Sequence, residues 1–330
     1  MKRKFTVLTL ILFSIFNYLT IFNPISAQDK DLKELTLMLD WYPNANHIPI
    51  YTAIENGYFE EEGIQLTIQM PAEADDPIKL ASTGKTDLAL SYPSVLIQAV
   101  GEELPVKAVG SLVQTRMDTV IYKEDSGIKT AKDLMGRKVG YAATTISENI
   151  IQSMVENDGG NFDEVEMVNV GWDLIPALAT DKVDAITGAY INHELLLLEK
   201  EGYKVSHMDF ADFGIPDTDE LIFVAGDDTI ATKSEEMKGF MRALKKGYDK
   251  ASEEPEAAMD VLLSNEENDY VLDKEIERKS WDMLKDFMVS KGEFGSLKAE
   301  NYQAFADFLF EHQTITRQLT ESDLVQDLSK

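Results

Sequence analysis

The chain has 330 residues, of which 44% are hydrophobic and 9% aromatic, so it can form a large core and is not globally disordered. It contains no cysteine, which excludes disulfides, thiolate metal ligands and cysteine nucleophiles. The formal net charge of −28 repels phosphate groups, and the sequence therefore argues against nucleic-acid binding.

Residues 1–27 have the pattern of an export signal. The basic start Lys2–Lys4 precedes the apolar run Phe5–Phe22, and Pro24–Ala27 offers small residues for cleavage. An uncleaved membrane anchor is the alternative, but polar residues such as Ser14 and Asn17 interrupt the run, and cleavage is favoured. In either case we expect the folded part to be extracytoplasmic, secreted or held at the cell surface.

The first folded segment predicts a strand, a polar loop and a helix. Apolar residues alternate over Leu35–Leu39, turn-forming and aromatic residues occupy 40–47, and a helical pattern then runs to Gly57. Ligands of open α/β sheets bind at the carboxyl ends of strands, so a loop of this kind indicates a binding cleft. The alternative is that Trp41 and Tyr42 form only a hydrophobic lid.

The same order of elements recurs further along the chain. A buried strand over Asp87–Leu90 leads into the polar, aromatic loop Ser91–Ser94 and then a helix. A strand over Val183–Ile186 leads into Thr187–Glu194 and another helix. Strands that alternate with helices predict mainly parallel sheets.

Two crossings divide the chain into two lobes. The polar break Gln114–Asp118 predicts the first crossing, and the apolar strand Leu221–Ala225 predicts the return. We therefore predict an α/β fold of two lobes, each a mainly parallel sheet flanked by helices, with a hinge and a central cleft. Lobe 1 comprises residues 28–116 and 226–330, which is helical from Ser234 onward, and lobe 2 comprises residues 117–225.

Several classes of chemistry lack support. The four histidines, His47, His193, His207 and His312, have no HExxH spacing, and a zinc site needs three or four convergent ligands. There is no GxSxG elbow, no Walker A motif and no GxGxxG after a strand. We expect no catalytic nucleophile, no metal and no cofactor.

Aromatic and amide side chains cluster at the predicted strand ends. Aromatic faces together with a few directional polar groups suit a flat, polar heterocycle. The alternative is that the aromatic residues fill the base of each lobe. For Trp172 the sequence supports a place in the core and a place in the cleft equally. For Tyr190 and Glu194 the cleft is favoured, because a polar run is costly to bury without a partner. The cluster comprises Trp41, Tyr42, Asn44, Asn46, His47, Tyr92, Trp172, Tyr190, Asn192 and Glu194.

Four segments resemble a known family. Leu39–His47 (LDWYPNANH) resembles the DWxPNxNH signature of the periplasmic solute-binding proteins for thiamine-pyrimidine precursors, a family that also includes fungal pyrimidine synthases of the same fold. Asn56–Gly63, Leu178–Glu194 and Phe213–Asp217 are similar to later motifs of that family. The similarity extends, in order, over Leu35–Ala225.

The resemblance implies a type II periplasmic binding protein, a monomeric non-enzymatic receptor that hands its ligand to the permease of an ABC importer. The implied ligand is a thiamine precursor such as N-formyl-4-amino-5-aminomethyl-2-methylpyrimidine. The implied roles are a sandwich of the pyrimidine between two aromatic rings, bonds to its ring nitrogen and exocyclic amine, and closure of the pocket. Trp41 and Tyr190 would form the sandwich, Asn46 and Glu194 would make the bonds, and Tyr92 and His47 would help close the pocket. Asn192, on the same side of the first crossing as Tyr190 and Glu194, is a further predicted site residue.

Departures from the family pattern keep alternatives open. Ile48-Pro49 stands where the family has Thr-Gly, and relatives bind riboflavin or other heterocycles. Without cysteine the chain is neither a cysteine-anchored lipoprotein nor able to form the cysteine cluster of the fungal synthases. A pyrimidine-synthase-like or pyrimidine-processing enzyme would need His47 or Glu194 as a general base. A sensory ectodomain of the same fold is a third interpretation.

Overall fold

The computed structural model describes residues 32–72, 76–142, 145–171, 173–265 and 271–329. The predicted export signal and Trp172 lie outside the described residues. Within these ranges, no helix combines the length and the apolar composition that a membrane crossing requires.

The described strands form two five-stranded sheets. They are β1 (Lys33–Met38), β2 (Ile64–Gln69), β3 (Leu88–Ser91), β4 (Val106–Val113), β5 (Asp118–Lys123), β6 (Lys138–Tyr141), β7 (Glu166–Asn169), β8 (Ala185–Tyr190), β9 (Val205–Asp209) and β10 (Leu221–Gly226). The first sheet has the order β2-β1-β3-β10-β4, and the second has the order β7-β6-β8-β5-β9.

Each sheet contains one reversed strand. In the first sheet β1 is parallel to β2 and β3, whereas β10 is antiparallel to both β3 and β4. In the second sheet β6 is parallel to β7 and β8, whereas β5 is antiparallel to both β8 and β9. Four strands of each sheet therefore share a direction, and the predicted α/β class with mainly parallel sheets is confirmed.

Each reversed strand is the first strand that the chain forms after it crosses from one sheet to the other. The chain passes from β4 into β5 through residues 114–117 and returns into β10 through residues 214–220. The sequence analysis assigned Leu221–Ala225 to lobe 2. In the structure Leu221–Gly226 pairs within the first sheet, so the return crossing lies before Leu221.

Helices cover both sheets. They are α1 (Ile48–Glu55), α2 (Tyr58–Glu61), α3 (Asp76–Ser82), α4 (Pro93–Gly101), α5 (Thr145–Asn157), α6 (Leu174–Ala179), α7 (Glu194–Lys200), α8 (Asp227–Glu253), α9 (Pro255–Ser264), α10 (Lys274–Phe287), α11 (Ala299–Glu311) and α12 (Glu321–Leu324). The helical C-terminal region begins at Asp227, seven residues before the predicted cap Ser234, and α8 has a kink at Lys233, where φ is −124°.

Close packing against α8 holds α1 and the loop that precedes it. A Cβ atom added to Gly247 of α8 would lie 2.2 Å from the carbonyl oxygen of Pro49, so only glycine permits this approach. Residues Ile48–Ala53 are all buried, and Gly57 ends this region in the left-handed conformation, as the sequence predicts. The polar loop at the end of β1 is thereby attached to a rigid support.

Candidate ligand-binding site

Loops from both sheets line one cavity of about 160 Å³. The carboxyl ends of β1, β3 and β8 meet there, together with the amino ends of the reversed strands β5 and β10. Six of the seven predicted site residues line this cavity: Trp41, Asn46, Tyr92, Tyr190, Asn192 and Glu194. Their roles in binding stay a prediction.

A tight turn presents Trp41 and Asn46 at the end of β1. The Asn44 side chain accepts a hydrogen bond from the Asn46 N–H at 2.9 Å, and the Asn44 N–H donates to His47 Nδ1 at 3.2 Å. Asn44 caps the short 3₁₀ helix Ala45–His47, which leads directly into α1.

His47 does not line the cavity and lies fully buried behind it. Because Nδ1 accepts from a backbone N–H, the neutral ring carries its proton on Nε2, which donates to Asp40 Oδ1 at 2.9 Å. Tyr92 donates its hydroxyl proton to Asp40 Oδ2 at 2.8 Å. Burial and the Asp40 carboxylate raise the pKa of Tyr92 well above its usual range, which keeps this donor protonated. His47 thus positions the buried Asp40, which in turn orients Tyr92 at the cavity wall.

A β-bulge shapes the opposite wall. Thr119 pairs with Ala189 and Val120 pairs with Thr187, so Gly188 is the extra residue of β8, with φ of +78°. Thr187 and Tyr190 both line the cavity, although residues three apart in a regular strand face opposite sides. The bulge therefore re-aims Tyr190 toward the cavity.

The turn after β8 is closed by its own polar groups. Glu194 Oε2 accepts from the Tyr190 N–H at 2.8 Å, and Glu194 Oε1 lies 3.1 Å from His193 Nδ1. Burial favours the neutral form of Glu194, but the charge and hydrogen bond of His193, with the backbone bonds, outweigh it and lower the pKa of Glu194. Glu194 thus lines the cavity as a carboxylate whose two oxygens already contact the Tyr190 N–H and His193.

This turn also contacts the first lobe directly. Asn192 Nδ2 donates to Asn46 Oδ1 at 3.1 Å and to Ser280 Oγ of α10 at 2.8 Å. His193 Nε2 lies 3.9 Å from Glu277 Oε1, and the other oxygen of Glu277 accepts from the Ala45 N–H at 2.7 Å. Polar bonds therefore join the two lobes at one side of the cavity.

Charged residues of the two crossings also line the cavity, and the sequence interpretation missed them. Glu220, just before β10, accepts from the N–H groups of Met117 and Asp118, the latter at 2.8 Å. Burial and then the Glu220 charge raise the pKa of Asp118 well above its usual range, and burial also raises the pKa of Glu220. The polar break at Gln114–Asp118 was the available signal, but it was interpreted only as a crossing.

Three buried polar atoms of the lining have no hydrogen-bond partner among the described residues. They are Arg116 Nη1, Asp118 Oδ1 and Asn192 Oδ1. Buried polar groups are ordinarily paired, so these three lining residues retain unused hydrogen-bonding capacity. No group of three or more His, Asp or Glu side chains in the described ranges could hold a metal ion.

Two lobes joined by crossings, with one lined cavity between them, define the periplasmic-binding-protein fold. The structure is similar to that of the periplasmic aliphatic sulphonate binding protein SsuA of Escherichia coli, with a TM-score of 0.69 at 15% identity over 89% of this chain and 92% of that one. At this identity the likeness concerns the fold alone.

The chain belongs to the family described as NMT1/THI5 like, which matches residues 44–258. It is 35% identical to the formylaminopyrimidine-binding protein of Halalkalibacterium halodurans over 92% of this chain and 93% of that protein. It is 28% identical to the 4-amino-5-hydroxymethyl-2-methylpyrimidine phosphate synthase of Legionella pneumophila over 69% of this chain and 72% of the synthase.

Proposed function

We propose that the protein is an extracytoplasmic solute-binding receptor of an ABC importer and binds a pyrimidine precursor of thiamine such as N-formyl-4-amino-5-aminomethyl-2-methylpyrimidine. The 35% identity to a formylaminopyrimidine-binding protein supports this ligand class. The observation that carries the proposal is a cavity to which both lobes contribute aromatic rings, and whose lining residues include polar atoms without a partner in the described part of the chain.

The lining suits a flat ring with polar edges. Trp41 from the first lobe and Tyr190 from the second offer aromatic faces, and stacking on such faces is favourable for a heterocycle. Asn46, Asn192 and Glu194 offer amide and carboxylate atoms that read the ring nitrogens and the exocyclic amine. In this proposal Tyr92 forms part of the rim of the cavity, and His47 acts only by positioning Asp40.

A receptor accounts for the cavity better than an enzyme does. A general base must be free to reach the proton it abstracts. His47 is fully buried and its Nε2 bonds Asp40, while both oxygens of Glu194 contact neighbours within its own turn. Ligand contacts from both lobes stabilise a closed form by differential affinity, which is what a hinged receptor presents to its permease.

Calorimetry with the purified protein tests the proposal. We expect one-to-one binding of the formylaminopyrimidine, weaker binding of riboflavin, and an unchanged ligand by mass spectrometry after prolonged incubation. Trp41→Ala should weaken binding at least tenfold, whereas Tyr42→Ala, at a neighbour that is 38% exposed and outside the lining, should not. Turnover of the ligand, or no binding of any pyrimidine, would contradict the proposal.

A further inference from the structure

The guanidinium of Arg116 is held in place from several sides. Its Nη2 donates to Thr218 Oγ1 at 2.6 Å, which connects the two crossings. The Phe210 and Phe305 rings lie 5.6 and 5.0 Å from its central carbon. Arg116 lines the cavity, and its Nη1 is buried without a partner among the described residues.

Asp118 stands two residues further on at the same wall. Its N–H group donates to Glu220 at 2.8 Å, which fixes its backbone at the start of β5. Its Oδ1 is buried and lacks a partner within the described part of the chain. Two residues that line the same cavity therefore hold a donor, Arg116 Nη1, and an acceptor, Asp118 Oδ1, in fixed positions.

A buried group left without its hydrogen bond is destabilising, so a ligand that satisfies both atoms gains affinity from both. Arginine only donates, and the unprotonated oxygen of a carboxyl group accepts even when the group as a whole is neutral. An amide supplies the complement, because its carbonyl accepts and its N–H donates. A free alkylammonium has no acceptor for Arg116, and a carboxylate has no donor for Asp118.

We propose that Arg116 and Asp118 form a specificity site that recognises a secondary amide substituent of the ligand, with Arg116 Nη1 donating to the carbonyl and Asp118 Oδ1 accepting from the N–H. The proposal rests on the proposed function and adds the chemical reason for selecting an N-acylated aminopyrimidine over its deacylated form. Within the proposed ligand class the formylamino group is that substituent.

The test compares two ligands, the N-formyl pyrimidine and its deacylated aminomethyl form, by calorimetry on the full chain. The expected preference for the formyl compound is at least tenfold. Arg116→Lys keeps the positive charge but loses the planar fork, and Asp118→Asn keeps the side-chain size; each should lower that preference at least fivefold. Arg137→Lys is the matched control, because Arg137 pairs with Asp184 away from the cavity and should leave the preference unchanged.

The outcomes separate this inference from the proposed function. Tight pyrimidine binding with no formyl preference, or with a preference that folded Arg116→Lys and Asp118→Asn both retain, overturns the inference alone. Absence of binding to any pyrimidine overturns both proposals. Folding is monitored by circular dichroism, and if Arg116→Lys does not fold, the preference of Asp118→Asn decides.

Discussion

Asn192, in the turn after β8 of the second lobe, donates to Asn46 Oδ1 of the first lobe at 3.1 Å. The same nitrogen donates to Ser280 Oγ at 2.8 Å, so one amide bridges the turn after β1, the turn after β8 and helix α10. Both asparagines line the cavity. A contact that holds the lobes together is therefore part of the proposed binding surface.

Asn192→Ala should weaken ligand binding by about 1–3 kcal/mol, because it removes the two bonds from Asn192 to the first lobe and leaves Asn46 Oδ1 without its donor. Calorimetry measures the affinity, and small-angle scattering should show a larger population of open molecules. Asn265→Ala, on an exposed amide at the end of α9, is the control and should change neither. Equal affinity of the wild type and Asn192→Ala would remove this bridge from the binding mechanism.

The His193–Glu194 contact predicts a pH dependence of stability. Burial opposes protonation of His193, but the charges of Glu194 and Glu277 outweigh it and raise the pKa of His193. The pKa of Glu194 is lowered. Stabilisation from the histidine is full below its ordinary pKa of 6.5 and is lost as the pH rises through the raised value. Stabilisation from the glutamate is full above its ordinary pKa of 4.5 and is lost as the pH falls through the lowered value.

Between pH 5.5 and 8.5 the wild type should therefore lose more unfolding free energy than His193→Gln, by roughly 1–3 kcal/mol, the size of a charge-assisted hydrogen bond. Urea unfolding at both pH values measures this difference. His207→Gln is the matched control, since His207 lies on β9 with a partly exposed side chain and does not line the cavity. A pH response of His193→Gln equal to that of the wild type would contradict the assignment.

A substitution at Gly188 separates the effect of backbone strain on stability from the effect of the bulge on ligand affinity. An added Cβ would meet no atom within 4 Å, so Gly188→Ala introduces only backbone strain at φ of +78°, about 1–2 kcal/mol. If the bulge relaxes, Tyr190 turns away from the cavity and ligand affinity falls. Gly136→Ala is the control, with φ of +73° and equally open surroundings in the turn before β6. Both variants should lose similar stability, and only Gly188→Ala should lose affinity; equal affinities would exclude a role for the bulge.

The sequence pattern predicted the elements of the fold well because their signals are local. Alternating apolar residues marked β1, and Gly57 marked the end of the first helical region. The polar loops after β1, β3 and β8 were found because ligands bind at the carboxyl ends of strands. This reasoning brought six of the predicted residues to one cavity.

What the sequence pattern missed depends on long-range pairing. The apolar run Leu221–Gly226 indicates a strand but not which sheet receives it. Because β5 and β10 are reversed, their amino ends meet the carboxyl ends of their neighbours, and Arg116, Asp118 and Glu220 arrive at the cavity by that route. A search limited to carboxyl ends could not find them. The burial of His47 is likewise a tertiary outcome, fixed by its bond to Asp40.

Asp219 supplies a second prediction about pH, of opposite sign to that of Glu194. Burial raises its pKa to about 6, although the Tyr302 hydroxyl donates to its Oδ2 at 2.6 Å. The folded state therefore holds a proton that the unfolded state releases near pH 3.8, and stability falls as the pH rises from about 4 to about 6.

Asp219→Asn should gain stability relative to the wild type over this range, by up to about 3 kcal/mol at one pKa unit per 1.36 kcal/mol. Urea unfolding at pH 4 and pH 7 measures the gain, with the exposed Asp212→Asn as control. If the difference in unfolding free energy between wild type and Asp219→Asn is the same at both pH values, Asp219 has an ordinary pKa. In that event the cavity wall near the return crossing would be more hydrated than its burial indicates.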